Sequence, residues 1–212
     1  MNKICIADEN GPSFTSRFVP VVEINDADDA VPLASALVAG GIDVIEITLR
    51  STAALQAIKN ISVSGVSIAL AAGTVLTSEH LLQVKQAGAQ FAFSPGSTPA
   101  LLAAAREQQF ALIPGVASVS EVMRCLEQGF TLMKVFPADA VGGVTFINAI
   151  KAPLPLARFI PTGGVNAGNA VTFAACSNVV AMGGSWLTPP KLIQAKAWST
   201  ITKLAVQARE LL

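Results

Sequence analysis

Glu46, Thr48 and Arg50 stand at alternate positions in the apolar run VIEITLR, and Lys134 interrupts a second apolar run, LMKVFPA. Alternate residues of a strand share a face, so the first run presents a carboxyl, a hydroxyl and a guanidinium together. Leu132, Lys134 and Phe136 share a face by the same period. An ammonium left unpaired in an apolar interior is costly and tends to lose its proton. If the two faces look into one cavity, desolvation together with cationic neighbours leaves Lys134 a neutral amine able to attack a carbonyl. The product is a Schiff base, whose iminium drains electrons from the adjacent carbon so that a C–C bond two atoms away can break. Glu46, deeper in its strand, suits proton transfer, and Arg50, at the strand end, suits a carboxylate held by paired hydrogen bonds. The bland alternative is an internal ion pair, Glu46 with Arg50 or with Lys134, that satisfies itself without reacting.

Other residues fit the same chemistry. Thr74, in AAGTV, brings a hydroxyl that can join Arg50 at a carboxylate. The runs PTGGV, with Thr162, Gly163 and Gly164, and GGSW, with Gly184 and Ser185, end two successive strand-like segments. Glycines admit an anion close to the backbone, and loops after the last two strands of a β/α barrel commonly hold phosphate. Pro95, in SPG, is read as shaping the rim. The single histidine, His80, falls in the first turn of an expected helix and reads as a surface residue. That leaves neither a histidine-rich zinc site nor a histidine-served nucleophile.

The elements that must position these residues repeat. Eight short apolar runs begin at Phe18, Val44, Ser67, Phe91, Ala111, Leu132, Arg158 and Val179, and stretches of helical periodicity lie between them. DADDAVPLASALVAGG has an acidic start and a Gly-Gly stop, and TPALLAAAREQQ has Thr98 as N-cap with Pro99 in first position. Eight βα units predict an α/β fold, a (β/α)8 TIM barrel in a single domain spanning 1–212, with its chemistry at the C-terminal ends of the strands. A doubly wound open sheet is the alternative, but no G-x-G-x-x-G follows the first run. Residues before Phe18 form an N-terminal extension, and KLIQAKAWSTITKLAVQARELL after Pro190 reads as helical throughout.

With 14 basic and 14 acidic residues the net charge is zero, which points to a small-molecule partner rather than nucleic acid or a membrane surface. The N-terminus lacks a signal-peptide pattern, and the odd, scattered Cys5, Cys125 and Cys176 read as reduced, buried thiols, so the expected location is cytoplasmic. No uncharged run escapes interruption by Pro, Gly, Asn or Ser long enough to suggest a spanning helix.

Taken in order, VIEITLR, AGTV, FSPG, LIPGV, KVFPA, PTGGV and GGSW resemble the 2-keto-3-deoxy-6-phosphogluconate aldolase family, which includes 4-hydroxy-2-oxoglutarate aldolase activity; the resemblance runs from about Phe18 to Trp186. It implies a (β/α)8 barrel, a homotrimer, and a class I aldolase that needs no metal or other cofactor and takes a phosphorylated 2-oxo acid. By resemblance Lys134 is the Schiff-base lysine and Glu46 the proton shuttle. Arg50 and Thr74 hold the substrate carboxylate, and Gly163, Gly164, Gly184 and Ser185 bind phosphate. Thr162 lies near the sugar hydroxyls, with Pro95 and Phe136 also on the substrate. Ala72 departs from the glycine many relatives carry, adding a methyl expected to crowd the cavity slightly. Two rivals remain: a metal-free phosphosugar isomerase on the same barrel, with Glu46 as base, and a non-catalytic module that binds a phosphorylated ligand.

Overall fold

The computed structural model describes residues 3–5 and 13–212, without the side chain of Cys5. The expectation about a leader segment, and that for the Cys5 thiol, therefore fall outside the described residues. A short antiparallel pair, Ile4–Cys5 with Ser13–Phe14, precedes the repeat.

Every apolar run singled out above contains strand: β1 (Phe18–Val22), β2 (Val44–Thr48), β3 (Ala69–Gly73), β4 (Phe91–Phe93), β5 (Leu112–Ile113), β6 (Gly115–Val116), β7 (Leu132–Val135), β8 (Arg158–Pro161) and β9 (Met182–Gly184). All pair in parallel, in the order β9-β1-β2-β3-β4-β5 in one sheet and β8-β7-β6 in another. The single eight-stranded ring expected from the sequence thus appears as an α/β fold with two parallel sheets. The fifth run is divided at Pro114, which has no N–H for a ladder, although its carbonyl still accepts from Lys134 N at 2.8 Å. Among the described residues, β8 meets the chain around β9 through two parallel bridges, Phe159 with Val179 and Thr162 with Gly183. β2 and β3 are buried along their whole length, as strands covered on both faces must be.

Helices fill the intervals: α1 (Ala30–Ala39), α2 (Ala54–Val63), α3 (Ser78–Ala87), α4 (Pro99–Glu107), α5 (Val119–Glu127), α6 (Gly143–Lys151), α7 (Ala170–Ala174), α8 (Pro190–Gln194) and α9 (Trp198–Glu210). The α1 helix (Ala30–Ala39) follows a 3-10 turn whose N-cap, Asp26, accepts from Asp28 N, and α4 (Pro99–Glu107) is capped by Thr98 accepting from Leu101 N. In α3 (Ser78–Ala87) His80 is half-buried rather than fully exposed, and its Nδ1 accepts from Leu76 N at 3.4 Å. The C-terminal stretch is not one helix but two, α8 (Pro190–Gln194) and α9 (Trp198–Glu210). Lys196 breaks it with a φ of 50°, its Nζ 3.3 Å from the nearly buried Asp29 carboxylate. The turn lays α9 on α1, where a Cβ on Gly40 would overlap Ala205. Cys125 and Cys176 are free and buried, as expected. No helix among the described residues is long and apolar enough to cross a membrane.

Candidate active site

β2 and β7 point Glu46 and Lys134 at each other. Nζ of Lys134 lies 2.9 Å from Oε1 and 3.2 Å from Oε2 of Glu46, with side chains only 6% and 2% exposed. The same nitrogen sits 5.2 Å from the ring centroid of Phe93 and 5.5 Å from that of Phe136. A carboxylate and two ring faces therefore surround the amine, not the cationic neighbours that the sequence suggested. Of the two internal ion pairs considered, the one with Lys134 forms.

The pair is fitted closely. Register places Glu46 beside Ala71, Ile47 beside Ala72 and Thr48 beside Gly73. A Cβ on Gly73 would overlap the Glu46 carboxylate, lying 2.7 Å from its Cγ. Only a residue without a side chain lets the acid lie there. Ala72 pairs with Ile47 and so faces away from Glu46, leaving its methyl clear of the acid. Directly after Gly73, Thr74 has a φ of 59°, a left-handed conformation that is a true outlier for a β-branched residue. Such strain clusters where function over-determines the backbone.

Arg50 lies just past the end of β2 and is exposed. Its Nε donates to Thr48 Oγ1 at 3.1 Å and stands 3.3 Å from Glu23 Oε2, while Thr48 Oγ1 donates to Val22 O at 2.9 Å. The face shared by Glu46, Thr48 and Arg50 is thus continuous, but Arg50 takes Glu23 as its counter-ion and leaves Glu46 to Lys134. Glu23 was missed in the sequence, where a lone glutamate at a strand exit reads as solvated.

On the other side, Thr162 is buried and bridges to Gly183, on which a Cβ would overlap the Thr162 hydroxyl. Gly163 and Gly164 follow with φ of 94° and 86°. Gly163 O accepts from Asp139 N at 3.0 Å, and Gly164 O accepts from the side-chain amides of Asn166 and Asn169. Gly184 is buried against Trp186, and Ser185 is exposed just beyond it. Pro95 is half-buried, and its carbonyl occupies the space a Cβ on Gly115 would need. Ser94, buried beside it, donates to Gly96 O at 2.7 Å and closes the Ser-Pro-Gly turn. The structure therefore joins Lys134, Glu46 and Phe136 directly, bonds Arg50 to Thr48 on the strand face that also carries Glu46, and groups Thr162 with Gly183. Besides Glu23, it adds two partners not singled out in the sequence. Phe93 was legible from its alternation within FAF; the need for Gly73 was not, because the group that requires it is 27 residues away.

A family model for KDPG and KHG aldolase matches residues 13–204. The 2-dehydro-3-deoxy-phosphogluconate aldolase of Pseudoalteromonas atlantica is 48% identical over 190 residues, 90% of this chain and 88% of that protein. The KHG/KDPG aldolase of Escherichia coli strain K12 is 45% identical over 196 residues, 92% of each. Among solved structures, KDPG aldolase from Legionella pneumophila, with pyruvate captured at low pH as a covalent carbinolamine intermediate, is 43% identical. It superposes with a TM-score of 0.89 over 92% of this chain and 94% of that one.

Proposed function

The chain belongs to the KDPG and KHG aldolase family, and from that premise we propose that it cleaves 2-keto-3-deoxy-6-phosphogluconate to pyruvate and glyceraldehyde 3-phosphate through a Schiff base on Lys134. The observation that carries this reading is the buried contact of 2.9 Å between Lys134 Nζ and Glu46 Oε1. A carboxylate at that distance takes the ammonium proton and frees the lone pair. The amine adds to C2 of the substrate, one of its own protons passes to the former carbonyl oxygen to give the carbinolamine, and Glu46 returns the proton it took so that this oxygen leaves as water and the iminium forms. Glu46 then accepts the C4 hydroxyl proton as the C3–C4 bond breaks and its electrons move into the iminium. Protonation of the enamine at C3 and hydrolysis release pyruvate and restore Lys134. The same steps serve 4-hydroxy-2-oxoglutarate, whose C3–C4 bond has the same relation to its carbonyl.

Arg50 and Thr74 hold the substrate carboxylate, Thr162, Pro95 and Phe136 line the path of the chain, and Gly163, Gly164, Gly184 and Ser185 receive the phosphate. The left-handed turn at Thr74 and the positive φ at Gly163 and Gly164 support these assignments. We read the two sheets as one (β/α)8 barrel forming a single domain. The two β8–β9 bridges and the Lys134 N to Pro114 O bond across the split fifth run support a closed ring. A homotrimer in the cytoplasm is the assembly and location that family membership and the two free thiols favour.

Borohydride added with pyruvate tests the mechanism. A reduced pyruvyl adduct on Lys134, together with pyruvate release in a coupled lactate dehydrogenase assay, is the expected result. Failure to trap any adduct overturns it: an isomerase converts substrate without trapping, and a binding module saturates without turnover.

A further inference from the structure

Arg50 leaves the end of β2 on a long, half-exposed side chain with much rotamer freedom to lose before it can grip a ligand. Val22 ends β1, the neighbour of β2, and Glu23 follows it directly. The Val22 carbonyl anchors the buried Thr48 hydroxyl, that hydroxyl accepts from Arg50 Nε, and the Glu23 carboxylate stands 3.3 Å from the same nitrogen. Both polar partners of Arg50 among the described residues therefore meet Nε. A guanidinium is a planar fork, and its Nη1 and Nη2 end can still accept a second carboxylate through two parallel hydrogen bonds. With the Glu23 side chain 40% exposed, solvent screens the pair, so the carboxylate cancels little of the guanidinium charge seen from the other end. Its effect is on direction.

We infer that Glu23 is a positioning residue for substrate binding, which fixes Arg50 by its Nε edge so that the two-nitrogen end faces the carboxylate of the 2-oxo acid. The inference rests on the reading of Arg50 as the carboxylate holder. Glu23 touches no reacting atom, so its loss should appear in KM and leave kcat almost alone.

Steady-state kinetics of Glu23→Ala, Glu23→Gln, Arg50→Ala and the Glu23→Ala/Arg50→Ala double variant test it. Glu23→Ala is expected to raise KM by about two- to five-fold, the scale of a partly exposed pair, with kcat unchanged. Glu23→Gln, whose amide oxygen can still face Nε, is expected to recover most of that loss. In the Arg50→Ala background, Glu23→Ala should add nothing, because the arginine through which it acts is gone. An unchanged or lowered KM for Glu23→Ala, or an undiminished effect in the double variant, overturns the inference while leaving Arg50 its role. An unchanged KM for Arg50→Ala instead overturns the carboxylate reading and the inference with it.

Discussion

Lys134 Nζ and Glu46 Oε1 meet at 2.9 Å although 88 positions separate the two residues in the chain. Both side chains are almost fully buried, so neither charge has water to fall back on, and each depends on the other.

That dependence makes the lysine a structural as well as a chemical residue. Lys134→Met should show no turnover and no pyruvyl adduct. It should also unfold more readily, by about 3 kcal/mol or more, because it strands a carboxylate in the interior. Adding Glu46→Gln should recover much of the stability and none of the activity. Urea denaturation followed beside the lactate dehydrogenase assay separates the two losses.

Glu46→Gln alone keeps the amine and removes the proposed base. A well-placed proton transfer contributes roughly 10²- to 10⁴-fold, so kcat should fall by that order. Borohydride should still trap pyruvate on Lys134, more slowly. A kcat within threefold of wild type would remove Glu46 from the proton path.

Gly73→Ala puts a methyl into the Glu46 carboxylate. The acid must shift from Lys134 or the strand must move, and overpacking of this kind costs about 1–3 kcal/mol. Both kcat and thermal stability should drop. At Gly96 an added Cβ meets nothing within 4 Å, so Gly96→Ala is the matched control, expected to change stability by about 0.5 kcal/mol or less.

Asp43 supplies a pH test of the fold away from the chemistry. Burial pushes its carboxyl up, but hydrogen bonds from the side chains and backbone of Ser16 and Thr15 outweigh that and hold it below its ordinary 3.8. A carboxyl lowered on folding contributes stability that is present above its unfolded pKa and lost as pH falls through the folded value. Asp43→Asn should therefore be less stable than wild type at pH 7, and the gap should close below about pH 4. Urea midpoints at the two pH values read it directly.

These residues also mark how far the sequence carries. The strands and the meeting of Lys134 with Glu46 were legible because period-two alternation assigns faces and an ammonium in an apolar run demands a partner. The choice of partner was not: Arg50 was equally available to Glu46 until Glu23, from the adjacent strand, claimed it. Breaks without a local signal were also hidden. Lys196 turns the chain with no glycine or proline beside it, paired with Asp29, which is remote in sequence but adjacent in space. At Pro114 the signal was present, but the apolar run around it read as continuous.

Among the described residues, three other than glycine have left-handed backbones: Thr74, Gln109 and Lys196. Glycine adopts that conformation without strain, so an engineer seeking heat tolerance would place it at all three. Gln109, just past the end of α4, accepts that exchange freely, since glycine is the ordinary residue at such a helix exit. On the proposed reading Thr74 does not, for there the exchange discards the hydroxyl assigned to the substrate carboxylate, and the gain in durability would come out of affinity for pyruvate.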